Sequence, residues 1–255
     1  MEGKAKLHYF KIFGRAEPIR FALTATGVDF EDIELNGQFT GGEEGAKEWN
    51  ETKKNYEFES VPVLEIDGKA LSQSRAILRY IMQRKGLYPT DAYEVYRLES
   101  LIELYNDIET ALFKAFQGGE KGIEEFMMNT FFKRMAQVEK RLKENSSAEF
   151  LVGDKLSSAD CLFCNLRFTF FGDKDPEKKK QIDEAFGKFE GLTKYFEARK
   201  GDFQKRLDSR PAYKFWAFSP NNQNFFNLLI SIVLFFTNLL GKVKTLKNPN
   251  FQCKS

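Results

Sequence analysis

One histidine, His8, and three cysteines, Cys161, Cys164 and Cys253, occur in 255 residues. So few imidazoles and thiols leave no metal-ligand constellation to build. Three cysteines make no disulfide framework, which fits a reducing compartment. Charge of one sign is also lacking: 39 basic against 37 acidic side chains give a net +2. That balance argues against nucleic acid or another polyanion as partner. The opening MEGKAKLHYFKIF is polar and turns at once into a strand pattern, so no leader signal is read there.

What is present is 42% hydrophobic, enough for one large or two modest domains. AKLHYF (5–10) reads as a strand. EPIRFALTATG follows as a helix, with Pro18 in its first turn and Gly27 as its stop. DFEDIEL (29–35) reads as a second strand, and GGEEGAKEWNETKKN as a polar loop with an irregular helix. SVPVLEIDGKALSQS (60–74) predicts a hairpin, Val61–Ile66 and Lys69–Leu71, turning at Asp67-Gly68. A helix from Gln73 then places Ala76, Ile77, Tyr80 and Ile81 on one face and stops at Gly86. The order βαβ then ββα is that of an α/β domain over residues 1–84.

Residues 85–90 read as a linker, with Gly86 and Pro89, and residues 91–217 are helical in period. Leu98, Leu101, Ile102, Tyr105, Ile108, Leu112, Phe113 and Phe116 mark one long helix. Ile123, Met127, Phe131, Val138 and Leu142 mark a second, and Ser157 with Asp160 forms a capping box that opens a third. Shorter helices are expected around 176–188 and 192–205. The tail, 218–255, abandons this mixture for Phe, Asn, Leu, Ile and Lys.

Pro62 raises a question inside the expected hairpin, because proline has no N–H for a ladder. Were the Val61–Pro62 bond cis, the Val61 amide and carbonyl would turn outward and could pair with an extended peptide as another strand would. Gln73 and Ser74 then open a helix whose amides attract a carboxylate. A strand edge beside an anion seat suits a small acidic peptide. A cis-proline that merely shapes a turn accounts for the spacing equally well.

V-P-V-L-x-x-D-G followed by Q-S, after YFKIFGRAE, resembles the cytosolic glutathione transferases, and within them the sigma class that includes prostaglandin-D-synthase-type enzymes. The resemblance covers roughly residues 5–217. It implies a thioredoxin-like α/β N-terminal domain, an all-α C-terminal domain, a homodimer in the cytoplasm, and glutathione as cosubstrate with no cofactor. Tyr9 is then the catalytic hydroxyl that hydrogen-bonds the glutathione sulfur, since the thiolate and not the thiol is the nucleophile. Arg15 becomes the neighbouring fixed charge, favouring tyrosinate and thiolate together.

Trp49 and Lys53 match the family's W-x-x-x-K and would hold the glycine end. Ser60, Val61 and Pro62 join the glutathione-binding set, Val61 pairing its backbone with the cysteinyl unit. Gln73 and Ser74 would hold the γ-glutamyl carboxylate. Asp107 would reach the γ-glutamyl amine of the partner subunit's ligand. Where the family has glycine then glutamine or lysine ahead of V-P, this chain has Glu59 and Ser60, and a carboxylate there is expected to weaken glutathione binding.

Phe10, Phe13, Tyr105 and Phe113 are expected walls for an apolar electrophile such as an aryl halide or lipid hydroperoxide. His8 alternates to the face opposite Tyr9 and is no base for it. Cys161 and Cys164 fall inside a helix and read as core thiols. Phe225–Leu240, 16 residues broken by Asn227, Ser231, Thr237 and Asn238, is short of a membrane span. Three readings of it stand: a tail anchor or interfacial helix, a cover for the electrophile site, or translated A/T-rich non-coding sequence. Two alternatives to conjugation and peroxide reduction remain from the same resemblance: a non-enzymatic structural or carrier protein, and a glutathione-dependent prostaglandin isomerase.

Overall fold

A computed structural model describes residues 4–171, 180, 182–184, 186–211 and 213. The expected tail, with its apolar run 225–240, lies outside these residues, as do residues 176–179, 181 and 185 of the helix expected at 176–188. The N-terminal part carries β1 (Ala5–Phe10), α1 (Glu17–Ala25), β2 (Phe30–Leu35), α2 (Gln38–Thr52), β3 (Val63–Ile66), β4 (Lys69–Ser72) and α3 (Ser74–Arg84). The four strands form one mixed sheet in the order β2-β1-β3-β4. β1 runs parallel to β2 and antiparallel to β3, which pairs antiparallel with β4. This is the thioredoxin-like arrangement the resemblance implies.

Alternation along β1 explains how the sheet is covered. Ala5, Leu7 and Tyr9 are buried on one face while Lys6 and His8 take the other. Leu7, Leu64 and Ile66 pack with Ile19 and Leu23 of α1 and Ile77, Leu78 and Ile81 of α3 in one core. Asp67 and Gly68 both adopt positive φ, 53° and 72°, as a two-residue hairpin turn requires.

Two expectations change here. Pro62 does not lie inside a strand: the Val61–Pro62 bond is cis and β3 starts at Val63, so the ladder loses no donor. Residues 41–55 are not chiefly a loop; α2 takes them up to Thr52 with a break at Gly42 (φ 61°, ψ −144°), and Lys53–Asn55 form a 3-10 turn. Poor helix propensity yields to tertiary packing, because Gly45 lets the helix approach the Gly37 carbonyl, where a Cβ would come to 2.6 Å.

The helical part contains α4 (Ala92–Gln117), α5 (Gly119–Phe126), α6 (Phe132–Lys143), α7 (Ser158–Asn165) and α8 (Glu190–Asp208). Asp91 caps α4 by accepting from the Tyr93 and Glu94 amides. The expected second helix is divided by a π-helical turn, Met127–Phe131, which separates α5 from α6, and another, Leu166–Phe170, extends α7. The capping box is present. Ser157 accepts from the Asp160 amide at 3.4 Å and Asp160 accepts from the Ser157 amide at 2.7 Å. The same buried carboxylate also takes the Leu151 amide and the Tyr195 hydroxyl. Cys161 and Cys164 are fully buried, and burial pushes both thiols well above their ordinary range. That is the inert behaviour expected of core cysteines.

α1 is the element both halves share. Phe21 stacks on Phe203 of α8, ring centres 4.7 Å apart. Glu17, with no exposed surface, accepts from Arg206 at 3.0 and 2.8 Å, from Arg210 at 3.1 Å and from Arg20 at 3.2 Å. Among the described residues no helix is long and apolar enough to cross a membrane.

Candidate active site

The register places the expected glutathione residues at one end of the sheet. His8 faces Val63 and Val63 faces Ser72. One step further on each strand lie Tyr9, Pro62 and Gln73. β1 thus delivers Tyr9 and Phe10 at its carboxyl end, beside the cis turn and the start of α3, the position where open α/β sheets bind ligands. Gln73 caps α3 with φ 69°, and Ser74 is buried behind it.

Tyr9 is 6% exposed, and its hydroxyl oxygen accepts the Arg15 amide at 3.1 Å. The short 3-10 turn Gly14–Ala16 aims that amide. Burial pushes the Tyr9 hydroxyl above its ordinary pKa, and the Arg15 amide and the Arg15 and Arg20 charges offset this only in part. Arg15 thus acts in the expected direction, toward tyrosinate, but burial outweighs it. Tyr9 is a neutral phenol, with one lone pair committed to Arg15 N–H and a proton to donate.

Gly14 makes the arrangement sterically feasible. It has φ 43°, and a Cβ there would stand 2.5 Å from the Tyr9 oxygen. Gly14→Ala should therefore leave the fold intact by circular dichroism while displacing the hydroxyl. Its kcat/KM with any accepted electrophile should fall about tenfold or more, the scale of one lost hydrogen bond to a charged group. An unchanged kcat/KM would show that the Tyr9 hydroxyl is not held by this turn.

The Arg15 side chain is 55% exposed, its Nε 3.3 Å from Glu109 Oε2 and its guanidinium 5.8 Å from the Phe113 ring centre. Glu109 was not expected from the sequence. It is 7% exposed on α4, and the same oxygen accepts from Arg75 at 3.1 Å. Arg75 directly follows Ser74 and also donates to Asn106. One carboxylate thus ties the Tyr9–Arg15 corner to the α3 start. A signal did exist: Glu109 sits between Ile108 and Leu112 on the apolar face of α4, where a carboxylate needs a buried partner. Glu109→Leu should lower stability by about 2–4 kcal/mol by leaving the Arg75 charge without its carboxylate partner, read as a shift of the urea midpoint.

Trp49 and Lys53, expected at the glycine end, have these neighbours. Trp49 meets the Phe10 ring edge-on at 4.9 Å and lies 6.2 Å from Tyr56. Lys53 pairs with Glu59 at 3.4 Å. His8 turns to the other face, its Nδ1 3.0 Å from the Tyr56 hydroxyl and its Nε2 3.1 Å from Glu65.

The four expected electrophile walls separate. Phe13 lies against Tyr213 at 5.6 Å and beneath Arg210, and Phe113 lies beside Arg15. Phe10 instead packs on Trp49. Tyr105 is 1% exposed, beneath Arg75 and hydrogen-bonded by Asn165, so it is a core residue. Asp107 is exposed on α4 and pairs with Arg134 at 3.5 Å, away from the Tyr9 corner of its own chain.

Comparison with known proteins gives the family. The glutathione S-transferase N-terminal domain model matches residues 5–83, and the C-terminal domain model matches residues 102–201. Glutathione S-transferase alpha-4 of Rattus norvegicus is 35% identical over 173 residues, 63% of this chain and 71% of that protein. The monomeric Na-GST-3 of the hookworm Necator americanus superposes with TM-score 0.66 at 29% identity, over 84% of this chain and all of that one. Prostaglandin synthase D of Nilaparvata lugens gives TM-score 0.66 at 25% identity, over 82% of this chain and all of that one. With both halves of the fold matched and the site residues gathered at the end of β1, this chain belongs to the glutathione S-transferase family.

Proposed function

We propose that the protein conjugates glutathione to apolar electrophiles, or reduces organic peroxides with it, by holding the thiol as a thiolate through Tyr9. The observation that carries this reading is the neutral, buried Tyr9 hydroxyl, its oxygen occupied by the Arg15 amide. A phenol so held donates its proton to a sulfur seated at the end of β1. That bond stabilises S⁻ over S–H and lowers the thiol pKa. The nearby Arg15 guanidinium favours the same anion.

Val61 lies beyond the ladder, which ends at the His8–Val63 pair, so its backbone suits pairing with the cysteinyl unit. Gln73 and Ser74 at the α3 start receive the γ-glutamyl carboxylate. Trp49 and Lys53 receive the glycine end, with Ser60 and Pro62 forming the turn between. Phe13 and Phe113 border the electrophile. No cofactor is invoked beyond glutathione as cosubstrate. The sigma-like class rests on the sequence motifs and the N. lugens structure, against the alpha-class name of the rat relative, and prostaglandin isomerisation is the narrower activity within it. A cytoplasmic homodimer, with Asp107 reaching the partner's ligand, completes the proposal.

The experiment that tests it is a pH titration of the thiolate absorbance of protein-bound glutathione. A thiol pKa clearly below that of free glutathione supports the reading. Binding without such a shift removes Tyr9 from the activating role, and no binding at all returns the chain to a structural or carrier protein.

A further inference from the structure

Glu59 occupies a position where a side chain is disfavoured. Its φ is 45°, in the left-handed region where Cβ crowds the following carbonyl and glycine alone is unhindered. The turn is held there by the Glu59 amide donating to the Tyr56 carbonyl at 3.0 Å. From this backbone the carboxylate reaches Lys53 Nζ at 3.4 Å, with the two side chains 60% and 31% exposed. Both charges stand on the segment that runs from the end of α2 to the cis turn at Val61–Pro62. Among the described residues, Glu59 is the one carboxylate within ion-pair distance of Lys53.

This rests on the proposal that Lys53 receives the glycine end of glutathione. The lysine's charge is then already compensated before the peptide arrives. A glycine carboxylate must take Nζ from Glu59, and the displaced Glu59 stays on the same segment and repels it. A peptide whose glycine end is an ester or amide meets neither obstacle. We infer that Glu59 is a specificity-determining residue that levels the site's preference between glutathione and C-terminally neutral glutathione derivatives, so that γ-glutamyl-cysteinyl-glycine esters and amides are ligands of this site. The two charges are partly solvated, so the effect is modest. An exposed pair changes an equilibrium by about fivefold at most, and added repulsion from the displaced carboxylate brings the total to about tenfold.

The test is calorimetric binding of glutathione and of its glycyl monoethyl ester to the wild type, Glu59→Gln and Lys53→Met. In the wild type the two ligands should bind within about threefold of each other. Glu59→Gln should tighten glutathione about five- to tenfold and change the ester less than twofold. Lys53→Met should weaken glutathione in the Glu59→Gln background far more than in the wild type. A wild type that prefers glutathione over the ester by tenfold or more overturns the inference. So does a Glu59→Gln that shifts both ligands equally. If neither ligand binds any variant, the glutathione reading itself falls, an outcome distinct from either of these.

Discussion

In Tyr9→Phe, the thiol of bound glutathione should titrate about one to two pH units higher than in the wild type, and kcat/KM near neutral pH should fall about 10- to 100-fold. The magnitude follows from what is removed. A hydrogen bond to a charged group contributes about 1.5–3 kcal/mol, and each 1.36 kcal/mol is about one pKa unit. Phenylalanine keeps the ring that packs beside Phe10 and in the core of β1, so binding should change much less than catalysis.

The sign of the pH dependence is fixed by the Tyr9 environment. Burial holds the phenol above its ordinary value, so it stays a donor throughout the neutral range, and the rising limb of the profile belongs to the thiol. In the wild type that limb lies at low pH, and in Tyr9→Phe it moves to higher pH. The two profiles should converge at pH values above both thiol pKa values, where the sulfur is ionised with or without help. Profiles that differ by a constant factor at all pH values would show that Tyr9 acts on something other than thiol ionisation.

The largest expected loss of stability comes from Glu17. Glu17→Ala removes the one carboxylate shared by Arg20, Arg206 and Arg210, leaving Asp32 to face Arg20 at 2.7 Å and Arg206 at 4.0 Å. Breaking a buried ion cluster by deleting one sign costs about 3–5 kcal/mol, and the urea midpoint should fall accordingly. Arg206 and Arg210 belong to α8 and the segment after it. Glu17 opens α1 directly after the turn that carries Gly14 and Arg15. The variant should therefore lose activity at temperatures where it is still folded. A loss of less than about 1 kcal/mol would mean that the arginines find other acceptors or solvent.

The same group predicts acid behaviour. Burial alone would raise the Glu17 pKa, but the Arg206, Arg20 and Arg210 charges overrule it and hold the carboxyl below its ordinary value. A carboxyl lowered in the folded state contributes stability that is fully present above its unfolded pKa. That contribution is lost as pH falls through the folded value. Acid titration of the wild type should show this loss below about pH 4, and Glu17→Gln should lack it.

Much of the fold was legible because it depends on local pattern. Alternation in AKLHYF, the Asp67-Gly68 turn and the three- and four-residue spacing from Leu98 to Phe116 each specify an element within a few residues of chain. The same holds for the Ser157–Asp160 cap. α2 was legible only as an irregular helix within a loop: its glycines argue against a long helix, and only the tertiary structure shows Gly45 approaching the Gly37 carbonyl. Neither π-helical turn was foreseen, because apolar periodicity marks a helix without revealing where its hydrogen bonds shift by one residue.

The site divides along the same line. By itself the sequence determined which residue types stand at the end of β1, at the cis turn and at the start of α3, because each lies on a short motif whose geometry is local. Only the tertiary structure decided what those residues are chemically. Tyr9 is a neutral donor because burial outweighs the backbone amide six positions away that bonds its oxygen. Arg15 is held because Glu109, from the other half of the chain, reaches it. Lys53 is met by Glu59 because a left-handed turn brings the two together. Tyr105, on sequence a wall of the electrophile site, lies inside because α3 and α7 pack over it. Charge, burial and reach across the chain are sums over neighbours that no stretch of sequence contains, so the identity of the site was local and its chemistry was not.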